Sequence, residues 1–453
     1  AEKAAAERQR LKKEREEKEI AEKAAAEERA KEMERERIRL AKQELSEAHH
    51  RAAEMALAEQ CRVCESAETT PHKVRSKTGI EWESHCGGPA MLDLLESTDL
   101  VDAQYLITLG NNGGILPKWQ ELPEQAKITQ SNAWRLHCWG GSYCLPVLVL
   151  SHCWMDNDHP DRYGETLARV VPILELMLAR AKTFGGHATI GVYWDYSSIP
   201  QKPFQSADEQ SRFSNAMHEM PKWFAHPHTI VLMMSQPLPP RTDQQLVDEM
   251  EYENTRDYYE RGYPYFERSV AALIKDPTCL WDYAEWPKHF AEGKGGGKTG
   301  KEAPTFSDLK TKMRVKRPPP LSPVRFRAEL KSRVNAGELT FSVKMDQVTV
   351  CGLYDTIFVK AFEEYAYMTS TLADAEAHLF YTDCGWGDKE AELLAEALEA
   401  LADKAHPLGT RHISCRRFNN FSEAGIQRLM KARTYARRAE AGWLALNLDA
   451  KAG

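Results

Sequence analysis

Apolar positions change their spacing several times along this chain, and those changes predict its elements. Three short, almost wholly apolar runs occupy the middle, at 145–150, 190–194 and 229–234. Runs of this length, rich in β-branched residues, read as strands buried on both faces. Between them the apolar residues recur three and four apart, which is helical spacing. Residues 166–182 carry Leu167, Val170, Val171, Leu174, Met177 and Leu178; 206–220 carry Phe213, Ala216, Met217 and Met220; 263–275 carry Phe266, Val270, Leu273 and Ile274. Pro172 marks a kink or a true first turn in the first of these. Ser206 with Glu209 has the form of a capping box at the start of the second. Strands alternating with such helices predict an α/β parallel sheet with crossover helices, in which ligands bind at the carboxyl ends of the strands. Those ends carry polar clusters: Ser151, His152, Cys153 and Trp154 after the first strand, Asp195 to Gln201 after the second, and Ser235 after the third.

The flanks follow other patterns. Residues 1–60 are mostly Ala, Glu, Lys and Arg, without Gly or Pro, so a long charged helix is expected. Opposite charges four apart, such as Glu14 with Lys18, support it. Leu11, Ile20, Met33, Ile38 and Leu40 do not repeat every 3.5 residues, which favours a single helix or a weak coiled coil. A small lobe is expected over 61–140, with an amphipathic helix at 90–107, packing on the sheet. Cys61 and Cys64 have zinc-knuckle spacing, and His72, His85 and Cys86 offer further ligands, but a second spaced pair is lacking. Free thiols are the simpler reading.

Gly293 to Thr299 superficially resembles a phosphate loop, yet it is one residue short and no apolar strand feeds it. With Pro304 and the prolines after Arg317, residues 291–325 read as a flexible linker. Beyond it, 339–343 and 348–350 alternate like strands, and 356–368 is helical. Two related units follow, 34 residues apart (379 to 413), and each is similar to the strand–turn–helix unit of a leucine-rich repeat of the ribonuclease-inhibitor kind. Two such units cannot bury a core alone, so they lean on the preceding domain or are a coincidental pair. A basic helix and a loose tail are expected from 431 on.

Composition narrows the function classes. At 453 residues the chain holds two or three domains, and a net charge of −7 gives no reason to expect nucleic acid. No apolar run reaches the roughly 18 residues of a membrane span. Ten cysteines without a disulfide-framework spacing point to reduced thiols in an intracellular, cytosol-like compartment. The chain starts at Ala1 without a signal-peptide pattern, as a trimmed piece of a longer protein would.

Ser151-His152-Cys153-Trp154 resembles the Ser-Tyr-x-Trp strand end of the fungal heterokaryon-incompatibility (HET) domain. Tyr193-Trp194-Asp195 with Ile199 and Gln201 resembles that family's second signature, Tyr193 standing where Trp is usual and Ser198 where Cys is usual. HET domains are related to the Toll/interleukin-receptor (TIR) fold, and the resemblance covers 145–274. It implies a flavodoxin-like/TIR-like parallel sheet, preceded by the long charged helix and followed by a smaller αβ lobe. In TIR domains that cleave NAD⁺, the essential Glu follows an aromatic residue by four, which carries over to Glu267 after Tyr263; the family's Trp-Cys pair is replaced by Tyr263-Pro264.

Glu267 is therefore the candidate catalytic carboxylate, since N-ribosyl cleavage passes through an oxocarbenium-like state. Trp154 or Trp194 could stack on a ring, Ser151 and Asp195 could hold ribose hydroxyls, and His152 and Gln201 complete the candidate ligand-binding set. Each also has a structural reading: Trp194 as core, His152 as a packed side chain, Asp195 and Gln201 as loop ties, Glu267 in a surface pair with Arg261 or Arg268. His152, Cys153 and Asp156 are neighbours on one segment and make no hydrolase triad. The leading functional expectation is a signalling or scaffold protein acting through protein partners or self-association, with no cofactor required. The alternatives are an NAD⁺ glycohydrolase, with NAD⁺ as substrate, and a structural subunit of a large assembly.

Overall fold

The computed structural model describes residues 2–70, 88–137, 145–238, 254–290, 304–343, 345–365, 377–403, 411–415, 419–438 and 444–447. His72, His85, Cys86, Cys138 and the glycine-rich 293–299 stretch lie outside them. Among the described residues no helix is long and apolar enough to cross a membrane.

A six-stranded sheet forms the centre. Its strands are β1 (Leu100–Asp102), β2 (Lys127–Ile128), β3 (Val147–Ser151), β4 (Gly191–Tyr193), β5 (Ile230–Met233) and β6 (Leu280–Asp282), in the order β2-β1-β4-β3-β5-β6. The last four are mutually parallel, in register Val149↔Tyr193, Val149↔Val231 and Leu232↔Trp281. β1 runs antiparallel to β4, and β2 antiparallel to β1. The chain passes from β3 to β4 on one side and then to β5 on the other, so the strand order reverses between β3 and β5. A crevice at the carboxyl ends of such strands is where an open α/β sheet takes its ligands.

Alternation along the strands divides the core between the two faces. Val147 and Val149 of β3, with Val231 and Met233 of β5, pack on one face against α4 (Ala207–Ala225) and α5 (Gly262–Ala271), through Trp223, Phe224, Phe266 and Val270. Leu148, Leu150, Ile230 and Leu232 point to the other face. There they meet α2 (Ala103–Asn111) and α3 (Glu165–Lys182), and Pro172 lies inside α3. The expected helix at 90–107 is instead a short helix, Gly88–Leu94, followed by β1 and then α2. The Asp102 side chain accepts from Gln104 N (2.9 Å), starting α2 there, while the preceding residues pair with the sheet.

The N-terminal helix α1 spans Glu2–Glu68. Its last third docks: Ala52 and Ala56 are fully buried, and the Gln60 amide donates to Asp102 Oδ2 (3.0 Å) and to the Gln125 carbonyl (3.0 Å). Most residues before this stretch are exposed, laced by pairs such as Lys13–Glu17. Cys61 and Cys64 lie within this continuous helix, and the Cys64 thiol reaches the Gln125 carbonyl. Among the described residues no His, Cys, Asp or Glu cluster could hold a metal.

Three expectations beyond the sheet need correction. Residues 304–325 are packed and are no flexible linker: α6 (Phe306–Lys312) buries Phe306 and Leu309, and Arg317 is 1% exposed. Residues 348–350 form no strand, because α8 (Asp346–Lys360) runs through them after α7 (Pro323–Asn335), and its Val350, Tyr354, Ile357 and Phe358 make one buried helical face. Residues 339–343 form no strand of either sheet: Thr340 makes an isolated bridge to Arg261, while Leu339 is buried in the core and Phe341 packs against it.

The two C-terminal units are joined by a third strand. β7 (Ala377–Phe380), β8 (Arg411–Ser414) and β9 (Leu444–Asn447) form a parallel sheet in register Ala377↔Arg411 and Arg411↔Leu444. Between them run α9 (Asp388–Ala402) and α10 (Glu423–Arg438). This lobe leans on the central domain: Tyr381 donates to the Leu273 carbonyl (2.6 Å), and Arg317 donates to the Ala272 and Leu273 carbonyls (both 2.9 Å).

Candidate functional site

The end of β3 continues the alternation of its strand. Ser151 falls on the face shared with α5 and is completely buried, while His152 falls on the opposite face. On α5, Glu267 sits beside Phe266 and one turn before Val270, so its carboxyl is carried inward. The two meet: Ser151 Oγ donates to Glu267 Oε2 (2.5 Å), and the Tyr258 hydroxyl lies 2.6 Å from the same Oγ. Glu267 is 9% exposed and is not in a surface pair with Arg261 or Arg268. Burial pushes its carboxyl up to about 8, against the pull of the Ser151 hydrogen bond and with help from the Asp195 charge. At neutral pH this carboxyl is therefore mostly protonated. The Tyr258 phenol is also driven well above its ordinary value, first by burial and next by Glu267, and stays neutral.

The second cluster lies at the same rim, because β3 and β4 are parallel and adjacent. Trp194 follows Tyr193 and so turns to the other face, where it is fully buried. It is core and offers no stacking surface. Its indole N–H donates to His152 Nε2 (3.0 Å), which makes that nitrogen the acceptor. Burial lowers the His152 pKa, more strongly than Asp195 at 3.6 Å raises it, so the ring is neutral and protonated on Nδ1.

Asp195 Oδ1 accepts from Tyr196 N (2.7 Å), and Oδ2 accepts from the Trp154 indole (2.9 Å), which joins the two strand ends. Gln201 donates from its amide to the Asp195 and Ile199 carbonyls (3.1 and 2.9 Å), tying its own loop. Arg261, only 7% exposed, gives its guanidinium to the Trp154, Asn254 and Arg256 carbonyls. Burial drives the Cys153 thiol up to about 12, so it is no nucleophile.

Beside these groups opens a cavity of about 460 Å³. His152, Trp154, Asp195, Gln201 and Glu267 line it, together with Phe213, Met217 and Met220 of α4. Ser151 is bonded behind Glu267 and does not line the cavity, so it positions the carboxyl and holds no ribose. Sequence reasoning missed two contributions. Tyr258, which completes the hydrogen-bonded set around Ser151, sits in a polar stretch with no periodic signal. Phe341 and its neighbours enter the wall from a segment that reads as a strand of another lobe.

The arrangement is an open pocket of ligand size with one carboxyl, Glu267, whose pKa burial has moved up to about 8. Comparison of the chain with protein-family models, with curated proteins and with solved structures found no match.

Proposed function

We propose that the central domain binds a nucleotide carrying an N-ribosyl bond, NAD⁺ being the leading candidate, and that Glu267 serves its cleavage to nicotinamide and an ADP-ribosyl product. One observation carries this reading: a buried carboxyl with a pKa of about 8 opens into the cavity at the carboxyl end of the sheet. The HET/TIR resemblance supports it, as does the position of the cavity at the carboxyl ends of four parallel strands.

The chemistry follows from the groups present. Glu267 on its own is mostly neutral at neutral pH, and a cationic pyridinium beside it favours the carboxylate, so binding is coupled to loss of its proton. The carboxylate then stabilises the positive charge that develops on the ribosyl carbon as the N-ribosyl bond breaks. Water completes the product, and its proton leaves to solvent. Ser151 and Tyr258 hold the carboxyl in place, while the Trp154–Asp195 bond keeps the two strand ends together.

Nicotinamide release from NAD⁺ by the full chain tests this directly. Activity should disappear in Glu267→Gln, and kcat/KM should rise with pH through about 8 as the free-enzyme carboxyl ionises. No release of nicotinamide between about pH 6 and pH 9 refutes the reading.

A second reading, protein–protein interaction in a signalling or scaffold role, is favoured by the exposed stretch of α1, where Leu11, Ile20, Met33 and Leu40 are 47–69% exposed. The two strand–helix units that begin at β7 and β8, which resemble leucine-rich repeats, fit the same role. Light scattering of the full chain and of a form lacking residues 2–47 tests self-association. A monomeric mass for each form would remove self-association through α1 from this reading.

A further inference from the structure

The cavity is built by more than the sheet domain. Thr340, Phe341, Ser342 and Val343, from the segment between α7 and α8, line it together with Tyr263 and Glu267 of α5. Thr340 is held on both sides by backbone hydrogen bonds: its N–H donates to the Glu260 carbonyl (2.9 Å), and its carbonyl accepts from Gly262 N (2.9 Å). The Thr340 hydroxyl donates to the Glu260 carbonyl as well. This clamp places the Phe341 ring directly on Gly262, the first residue of α5. A Cβ at position 262 would stand 2.1 Å from the ring carbon Cζ, so only glycine lets the ring lie there. The Tyr263 ring meets Phe341 edge-on at 6.1 Å. A ring seated this way is a fixed wall.

The apolar part of the lining says what such a wall receives. Phe213, Met217 and Met220 of α4 add apolar, polarizable surface, and methionine sulfurs pack well against aromatic rings. The Arg261 guanidinium is spent on backbone carbonyls. Aromatic and thioether surface suits a flat heteroaromatic ring better than a sugar, whose hydroxyls need polar partners.

We infer that Phe341 is a specificity-determining residue of this cavity, against which the planar heteroaromatic ring of the ligand packs, and that the site is incomplete without the segment following α7. The inference rests on the nucleotide reading proposed above and adds the part of the ligand that is selected. It also explains why α5 is gripped at both ends by the C-terminal half: at Gly262 by Thr340 and Phe341, and beyond its last turn by Arg317 and Tyr381 on the Ala272 and Leu273 carbonyls.

The test is calorimetric titration of the full chain with nicotinamide mononucleotide and, separately, ribose 5-phosphate. Phe341→Ala should weaken the mononucleotide about tenfold, as removal of a stacking ring does, and leave ribose 5-phosphate unchanged. Phe341→Trp should restore the affinity, and Gly262→Ala, which displaces the ring without removing it, should reproduce the loss. Equal weakening of both ligands by Phe341→Ala would show a merely structural role and overturn the inference. Unchanged mononucleotide affinity in Phe341→Ala, with a wild-type chain that binds it, would overturn it while leaving the site intact. A wild-type chain that binds neither probe would overturn both this inference and the nucleotide reading.

Discussion

The carboxyl of Glu267 should make the protein less stable as pH rises, and removing its charge should reverse that. Its pKa moves from an ordinary 4.5 to about 8 in the folded chain, chiefly through burial. A raised pKa means the folded state prefers the protonated form. The contribution is therefore fully present below about pH 4.5, where both states are protonated. It is lost progressively as pH rises, until the folded-state carboxyl ionises near pH 8. Between those limits the unfolding free energy should fall by about 1.4 kcal/mol per pH unit, reaching a loss of about 3 kcal/mol at pH 7 and about 5 kcal/mol above pH 8. Glu267→Gln keeps the shape and can still bond Ser151 but has no charge to bury. The variant should match the wild type near pH 4.5 and exceed it by about 3 kcal/mol at pH 7. Urea unfolding of both forms from about pH 5 to pH 9, followed by tryptophan fluorescence, measures the difference at each pH. A difference that stays flat across this range, or a variant less stable than the wild type at pH 8, would refute the burial argument.

Two further outcomes test how the flanking parts are fastened. Arg317 is buried, donates to the two carbonyls past the end of α5 and stacks on Tyr381 at 4.3 Å; Arg317→Ala should cost about 3 kcal/mol and increase hydrogen exchange in α5, and unchanged exchange there would sink the idea of a two-ended grip. Asp102 is buried 2.8 Å from the Arg135 guanidinium and also accepts from Gln60 of α1, Thr189 and Gln104; Asp102→Ala leaves that cation without its partner and should cost about 3–5 kcal/mol while exposing residues 52–68 to protease, whereas a loss below about 1 kcal/mol would show that α1 docks through its alanines alone.

How much of this was legible depends on the range of the interaction that decides each element. The three central strands were readable because Val, Ile and Leu at 145–150, 190–194 and 229–234 are buried on both faces whatever their neighbours are. β1 and β6 were not, since three residues such as Leu100–Asp102 carry no period and become strand only by pairing with β4. Val348 and Val350 mislead because alternation over three residues also fits a helix; Tyr354, Ile357 and Phe358 decide for the helix. The prolines after Arg317 imitate a linker, yet the guanidinium finds carbonyls more than forty residues back in sequence. At the site, the meeting of Ser151 and Glu267 follows from strand period and helix phase, but nothing local announces that Phe341 will lie on Gly262. Leu379 and Ile413, 34 residues apart, face each other in the β7–β8 register, and the third strand, Leu444–Asn447, lies in the stretch that reads as a loose tail.

The fate of each polar group at the rim decides what chemistry is left for the cavity. Trp194 gives its N–H to His152, and His152 is thereby fixed as a neutral acceptor. Gln201 and Arg261 are consumed by loop carbonyls, and both Asp195 oxygens are occupied, by Tyr196 N and the Trp154 indole. These bonds account for the polar cluster as the frame of a loop-built pocket. Glu267 differs. Its Oε2 is held by Ser151, yet it remains a carboxyl whose charge the fold disfavours. A frame so fully bonded costs little to maintain, whereas a carboxyl forced toward neutrality lowers stability at neutral pH and above. Gln at position 267 would fit the same bond without that cost. The presence of an ionisable group there is therefore the feature that packing leaves unexplained and that a positively charged reacting centre in the cavity would explain.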